Sequence, residues 1–448
     1  MSKSYDAAVI GGGPGGYVAA IRLSQLGKKT VIIEKEEFGG TCTNWGCIPT
    51  KAMLTAAHLY REINEKASKF GIKVDNLTYE LSGIMKHVKK SVTLSRKGIE
   101  YLLNKNNVDI IKGEGRLKDR ETVTVNGEEI KARNIVLANG SKAIVFPPFD
   151  EIPGIWTSDD VFKMQQLPES ILIVGGGVIG VEFATFFSTF GVDVHLVEIA
   201  EHILPYEDSD VADEIKKELK KMKVNIYENA KIDEIKKEDE VYITKIRDVT
   251  LKTEKVLLAV GRRPNITEDI KNLGIKIEKG VVTDSHLRTS IENIFAVGDV
   301  RGQTMLAHVA MYDGIVAAHN IAGEEKEADY NAVPSIIFSN PEISSVGLKE
   351  KDADKEKVNI WKFPLSANGR ARTMEEKTGF AKVIEDKQTK QVLGVTLISP
   401  SATDLIMEGV IAVKYKMTSH QIAESIHPHP TLTETLLGAF EGPLSIHI

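Results

Sequence analysis

The chain has 448 residues, with 57 Lys and Arg against 63 Asp and Glu, a formal charge of −6, and a composition that is 42% hydrophobic and 27% charged. That length predicts about three domains with substantial cores, and the mild acidity gives no electrostatic reason to bind nucleic acid. The only two cysteines, Cys42 and Cys47, exclude a disulfide-stapled secreted scaffold, and a structural zinc site would have to recruit histidines from elsewhere, so no metal site is expected.

Residues 5–10 read as a strand, with no signal-peptide order before it. No run of eighteen apolar residues follows anywhere, so no membrane span is expected and the expected location is cytoplasmic. The strand runs into Gly11-Gly12-Gly13-Pro14-Gly15-Gly16, in which Gly11, Gly13 and Gly16 form a G-x-G-x-x-G turn before a helix-compatible segment. Gly27 and a second strand at 30–33, ending in Glu34, come next. The same order returns at 171–174: Gly175, Gly177 and Gly180, then Gly191, then a strand at 194–197 ending in Glu198. Both acids stand 23 residues after the first glycine of their turn.

One such turn carries little weight, because glycines recur in loops; two complete copies predict two dinucleotide folds. The first glycine permits the tight turn, the second lets pyrophosphate approach the backbone, and the third packs helix on strand. The acid then accepts from a ribose hydroxyl, and the helix N-terminus favours the anion. Pro147-Pro148 and Pro153-Gly154 read as a linker into the second fold, and a buried strand at 256–261 should close it before Arg262-Arg263-Pro264-Asn265. Another strand at 294–297 ends in Gly298-Asp299. A charged linker at 323–328 precedes a third, mixed unit with strands at 334–338, 379–384 and 393–398 and helices at 402–415 and 433–440. The charge runs at 214–223 and 231–240 read as solvated faces.

Cys42 and Cys47 stand in Gly39-Gly40-Thr41-Cys42-Thr43-Asn44-Trp45-Gly46-Cys47-Ile48-Pro49-Thr50-Lys51. Their spacing allows one disulfide across a turn of regular or distorted helix. Beside a dinucleotide a dithiol can exchange two electrons with a redox ring, provided that a nearby cation or base favours the thiolate. Two reduced cysteines of no consequence fit the spacing equally well.

This segment resembles the redox-active C-x-x-x-x-C of the class I pyridine nucleotide–disulfide oxidoreductases. The resemblance runs through nearly the whole chain: both glycine turns, Gly261-Arg262-Arg263-Pro264-Asn265, Ala296-Val297-Gly298-Asp299, Met305-Leu306-Ala307-His308 and Asn340-Pro341-Glu342. The tail His427-Pro428-His429-Pro430-Thr431-Leu432-Thr433-Glu434 is most similar to the dihydrolipoyl dehydrogenase branch of that family.

The resemblance implies an α/β chain of two Rossmann-like folds and a C-terminal α+β dimerisation domain. FAD is expected on 1–146 and 265–328, NAD on 147–264, and the interface at 329–448. It implies FAD contacts from Gly11, Gly13, Gly16, Glu34, Thr41, Lys51, Gly115, Ala138, Gly140, Asp299, Met305, Leu306, Ala307 and His308, and NAD contacts from Gly175, Gly177, Gly180, Glu198, Ile232 and Gly261. Cys42 would exchange with the substrate, and Cys47 would face the flavin as a charge-transfer thiolate. Lys51 would lie at the flavin, ion-paired with Glu182. His429 would be the acid/base, oriented by Glu434, and in a homodimer it would come from the other subunit. An imidazole suits proton transfer near neutrality, and a carboxylate on its second nitrogen fixes the tautomer; His427 is a rival that geometry must decide.

The activity implied is oxidation of a dihydrolipoyl group, on another protein or as free dihydrolipoamide, with hydride passed to NAD⁺. A 2-oxo acid dehydrogenase or glycine cleavage complex is the implied partner, since no lipoyl domain precedes the first fold. Glu198 is followed by Ile199-Ala200-Glu201, with no cation for a phosphate, so NAD is expected over NADP. Two positions depart from the family pattern: Asn139 within Ala138-Asn139-Gly140, where Thr is usual, and Trp45 between the cysteines, where a smaller residue is usual. The rival readings are a reductase of another low-molecular-weight disulfide, a flavoprotein that senses NADH or binds partners without dithiol turnover, and a diaphorase or oxidase. A mercuric reductase is disfavoured because no second cysteine pair lies near the C-terminus, and a glutathione reductase because Glu198 argues against NADP.

Overall fold

The computed structural model describes residues 4–444. Its first sheet has a parallel centre. Asp109–Lys112, Thr30–Glu34, Ser4–Ile10, Glu128–Leu137 and Ile294–Ala296 lie side by side in that order. The strands at this centre are near-continuous apolar runs because both of their faces are covered. Glu128–Leu137 does double duty: its first residues pair antiparallel with Thr122–Val125, extending the sheet to Arg116–Asp119, while its last residues lie between Ser4–Ile10 and Ile294–Ala296. Helices Pro14–Gln25 and Ala307–Ala322 pack on one face, and small residues let their backbones approach: a Cβ on Gly314 would stand 2.5 Å from the Gly15 carbonyl oxygen.

The second sheet is wholly parallel, in the order Asn225–Tyr227, Asp193–Val197, Ser170–Val174, Lys255–Leu258 and Trp156–Thr157. A three-stranded antiparallel sheet, Glu234–Glu238, Val241–Ile246 and Val249–Thr253, accompanies it. The strand expected at 256–261 stops at Leu258. From there the Ala259 amide donates to the Val174 carbonyl, and the chain turns along Gly175, too close for any side chain at that glycine. The chain enters and leaves this unit through one antiparallel ribbon, Ser141–Ala143 against Arg262–Pro264.

The C-terminal unit is an antiparallel sheet in the order Ser335–Ile337, Glu342–Gly347, Val392–Ser399, Phe380–Asp386 and Val358–Pro364, with helices Met407–Lys414 and Glu434–Glu441 packed on it. The helix expected at 402–415 is two, Ala402–Leu405 and Met407–Lys414, interrupted at Ile406. No helix among the described residues is long and apolar enough to cross a membrane.

The second and third units are pinned by Lys382, which is 1% exposed and lies 2.8 Å from Asp208, 2.9 Å from Asp210 and 3.0 Å from Glu350. These three carboxylates are near enough to one another to hold a cation, and the ammonium already stands among them. Lys382→Met should leave buried Asp208 without its cation, while Asp210 keeps Lys362 at 3.1 Å. The expected loss is about 3–5 kcal/mol of stability, read as a lower urea midpoint at unchanged slope.

Candidate active site

A cavity of about 1840 Å³ opens between the first and second folds and reaches the C-terminal unit. Every cofactor and catalytic residue expected from the sequence lines it except Gly16, Gly180, His429 and Glu434, and the rival His427 does not line it either. Gly16 and Gly180 lie beneath it, where a Cβ would stand 1.8 Å and 1.9 Å from the carbonyl oxygens of Gly11 and Gly175, so only glycine lets the helices sit this close. Gly13 and Gly177 differ. A Cβ on Gly13 would meet only Gly40, at 3.9 Å, and one on Gly177 would meet nothing within 4 Å, so each bare backbone faces open space in which a ligand can approach. Behind each turn its acid is held by two amides: Glu34 accepts from Gly12 and Glu36, and Glu198 from Gly176 and Ala200.

Cys42 lies on the short helix Gly40–Trp45, and Cys47 opens the helix Cys47–Lys66. The break between them falls at Gly46, so the distorted-helix reading describes the segment. Both sulfurs are thiols. Hydrogen bonding between them keeps the proton on Cys42, whose pKa is pushed far up by that bond and by burial. Cys47 receives the bond and is lowered to about 7, against burial and with help from the Lys51 ammonium. Its place at a helix N-terminus favours the thiolate as well.

Lys51, one turn along the same helix, donates to both oxygens of buried Glu182, at 2.8 and 2.9 Å. Its ammonium stands 4.7 Å from the centre of the Phe338 ring, and the Phe338 amide donates to Glu182 Oε1 at 3.0 Å. All three units therefore meet at this ion pair. Trp45 lines the cavity wall near the cysteines.

Arg262 is a residue whose motif the sequence reading quoted without giving it a role. Its guanidinium donates to Ser141 Oγ, Thr41 Oγ1 and Asp159 Oδ1, at 2.9, 3.2 and 3.2 Å, and so ties the ribbon to the cysteine helix. Ser141 in turn donates to Asp299 at 2.5 Å. Burial raises the Asp299 carboxyl, and Ser141 and Arg262 oppose that only in part. His308 donates from Nε2 to the Pro334 carbonyl, 3.0 Å away, and burial lowers its pKa.

Geometry also separates the two tail histidines. His427 is 8% exposed and fully engaged, with Nδ1 on the Ser425 carbonyl and Nε2 on Glu408 at 2.9 Å. Burial pulls its pKa down, but Glu408 and Ser425 outweigh that and leave it raised. His429 is 76% exposed; Nδ1 lies 2.8 Å from Glu434 Oε1, and Nε2 has no partner among the described residues. Glu434 is fixed in turn by the Thr431 amide. A histidine oriented on one nitrogen and open on the other is ready for proton transfer, yet it does not line the cavity of its own chain.

The family described as pyridine nucleotide-disulphide oxidoreductase matches residues 5–314, and its dimerisation domain matches residues 333–440. The chain belongs to this family. As a pyridine nucleotide-disulphide oxidoreductase it is an enzyme that uses FAD and NAD(H) and carries the family's dimerisation domain. It is 41% identical to a dihydrolipoyl dehydrogenase of Chlamydia trachomatis, across 97% of this chain and 96% of that one. It is 40% identical to a dihydrolipoyl dehydrogenase of Geobacillus stearothermophilus, across 99% and 97%. Among solved structures it resembles the HOCl-induced flavoprotein disulfide reductase RclA of Escherichia coli (TM-score 0.88, 28% identity, 98% and 99% covered) and LpdA of Mycobacterium tuberculosis (TM-score 0.89, 26% identity, 97% and 98% covered).

The residues present fit the two cofactors of this oxidoreductase family. Two bare-backbone cradles open at helix N-termini, and Asn139 Oδ1 on the cavity wall is a buried acceptor without a partner among the described residues. A pH titration should follow from the dithiol geometry. If the Cys47 thiolate abuts the flavin, long-wavelength absorbance in the reduced holoenzyme is expected above about pH 7 and should fade as pH falls through that value. Lys51→Met removes a cation that favours the thiolate, so its midpoint should move up. A midpoint left in place would assign the lowering to the sulfur pair alone.

Proposed function

We propose that the chain is a dihydrolipoyl dehydrogenase, which oxidises dihydrolipoyl groups and reduces NAD⁺. The observation that carries this reading is the dithiol itself, held on the wall shared by two dinucleotide cradles, with its cation at Lys51 and the proton kept on Cys42. The names of relatives about 40% identical over nearly the whole chain support it.

In the oxidised enzyme Cys42 and Cys47 share a disulfide. His429 of the partner subunit takes the proton from one dihydrolipoyl thiol through Nε2, and Glu434 stabilises the imidazolium and holds the ring. The substrate thiolate attacks Sγ of Cys42, the Cys42–Cys47 bond breaks, and Cys47 leaves as a thiolate paired with Lys51. The second substrate thiol then loses its proton and attacks the substrate sulfur bound to Cys42. The bond to Cys42 breaks, Cys42 takes up the proton released by that second thiol, and lipoyl disulfide departs. Two electrons now rest on the dithiol. Bound FAD would supply the two-electron acceptor for this dithiol and the hydride donor for NAD⁺.

The first cradle, with Glu34 on the adenosine ribose and Asp299 toward the ribityl chain, would hold FAD; the second, with Glu198 and Ile232, would hold NAD. Glu182 fixes the Lys51 ammonium at the flavin. The fold divides as 1–146 with 265–328 around FAD, 147–264 around NAD and 329–448 at the interface of a homodimer. The lipoyl group would arrive on a 2-oxo acid dehydrogenase or glycine cleavage component. The test is anaerobic titration of the holoenzyme with dihydrolipoamide. Long-wavelength absorbance should rise, and NAD⁺ should then be converted to NADH; neither signal would reject the assignment. The likeness to RclA favours a second reading, reduction of another disulfide with NADH, for which dihydrolipoamide would be a poor donor.

A further inference from the structure

The two glycine turns agree well beyond their shared motif. In the first fold the Gly11 amide donates to the Ile33 carbonyl at 2.8 Å, Gly12 to Glu34 at 2.6 Å and Glu36 to the same acid at 2.7 Å; the chain then returns, and Gly39 donates to the Gly12 carbonyl at 2.8 Å. In the second fold Gly175 donates to Val197 at 2.8 Å, Gly176 to Glu198 at 2.7 Å and Ala200 to the same acid at 2.7 Å; Leu204 returns to the Gly176 carbonyl at 2.8 Å. Phe38 and Ile203 fill matching places, 2.6 and 2.9 Å from where a Cβ on Gly12 or Gly176 would stand. Gly39 and Leu204 both lie in the left-handed region, with φ of 95° and 52°. That is easy for glycine and strained for leucine, so the second chain is held to the same path.

After this contact the copies diverge in chemistry. Gly40 carries bare backbone across the first cradle, where a Cβ would stand 2.7 Å from Gly13 Cα, and Thr41 follows it on the wall. The equivalent residues of the second fold are Pro205 and Tyr206. Tyr206 is 85% exposed and lines the cavity. A lone exposed aromatic is ordinary; its register with Thr41, which sits at the first cradle, is not.

We propose that Tyr206 is a binding residue for the nicotinamide dinucleotide, its ring closing over the pyrophosphate and the ribose on its nicotinamide side at Gly177. This rests on the assignment of the second fold to that cofactor. The open side of a glycine turn leaves the anion and its N–H donors in water. A ring laid across it excludes that water and covers the apolar face of the ribose, and a tyrosine loses little rotamer freedom in doing so. Pyrophosphate and ribose are common to NAD and NADP, so Tyr206 sets affinity while Glu198 sets the choice between them.

The test is the dissociation constant of holoenzyme for NADH, NADPH, ADP-ribose and AMP. Tyr206→Ala should weaken the first three by about tenfold and leave AMP, FAD content and the thiol KM unchanged. Tyr206→Phe, which keeps the ring, should stay within about twofold of wild type. ADP-ribose bound as tightly by Tyr206→Ala as by wild type would overturn the proposal. An equal loss for AMP would overturn it too, by placing the ring on the adenosine. If wild-type holoenzyme binds neither NADH nor ADP-ribose, the assignment of the second fold fails, and the proposal with it.

Discussion

Cys42→Ser and Cys47→Ser should each lower dihydrolipoamide oxidation by at least about a thousandfold, because each removes one of the two sulfurs that must form and break the exchange disulfide. FAD content and the transfer of electrons from NADH to an artificial acceptor should persist, since neither needs the dithiol. The two variants should differ in one respect. The hydrogen bond from position 42 is the largest influence lowering Cys47, and a serine hydroxyl can still donate it. Long-wavelength absorbance should therefore survive in Cys42→Ser near pH 8 and vanish in Cys47→Ser at any pH. Full disulfide turnover in either variant would leave a flavoprotein whose function does not pass through these sulfurs.

His429→Gln should lower the same turnover by about 10²–10⁴, and the site can be assigned to one subunit or two by mixing. Two differently tagged chains are co-expressed, one carrying Cys42→Ser and the other His429→Gln, and the hybrid dimer is isolated. If the imidazole serves the cysteines of its partner, one of the two sites in the hybrid is intact, and about half of wild-type activity per dimer should return. If it serves its own chain, both sites are broken and the hybrid stays inactive. The exposure of His429 and its absence from the lining of its own cavity lead to the first outcome.

The two cradles were legible in the sequence because each is a local pattern in which glycine spacing and a terminal acid report directly on backbone geometry. The Lys51–Glu182 pair was named through family resemblance; 131 residues separate the two, and no local pattern links them. Arg262 was harder to read. Its role is defined by Thr41, Ser141 and Asp159, which reach it from distant segments, so nothing near it in sequence marks it as the tie between ribbon and cysteine helix. The Lys382 cluster is hidden for the same reason: Asp208 and Glu350 lie on separate segments that only folding brings onto one ammonium. Strand ends were misjudged where a glycine turn required the chain to leave the sheet early, as at Leu258. Pattern alone could not choose between His427 and His429. The choice depends on Glu408, which occupies the second nitrogen of one and leaves that of the other open.

The pairing of Ile135 with Ile294 has a consequence for how the chain is made. The strands of the inserted fold are all synthesised between residues 156 and 258, so a nascent chain can complete that unit while the first sheet still lacks its last parallel strand. Until the ribosome has delivered Ile294–Ala296, the far edge of Glu128–Leu137 is an unpaired template. Early closure of the ribbon Ser141–Ala143 against Arg262–Pro264 would bring that late strand within reach by shortening the effective loop. In a translating cell, the unit that appears second in sequence would thus mature first, and the first would wait for it.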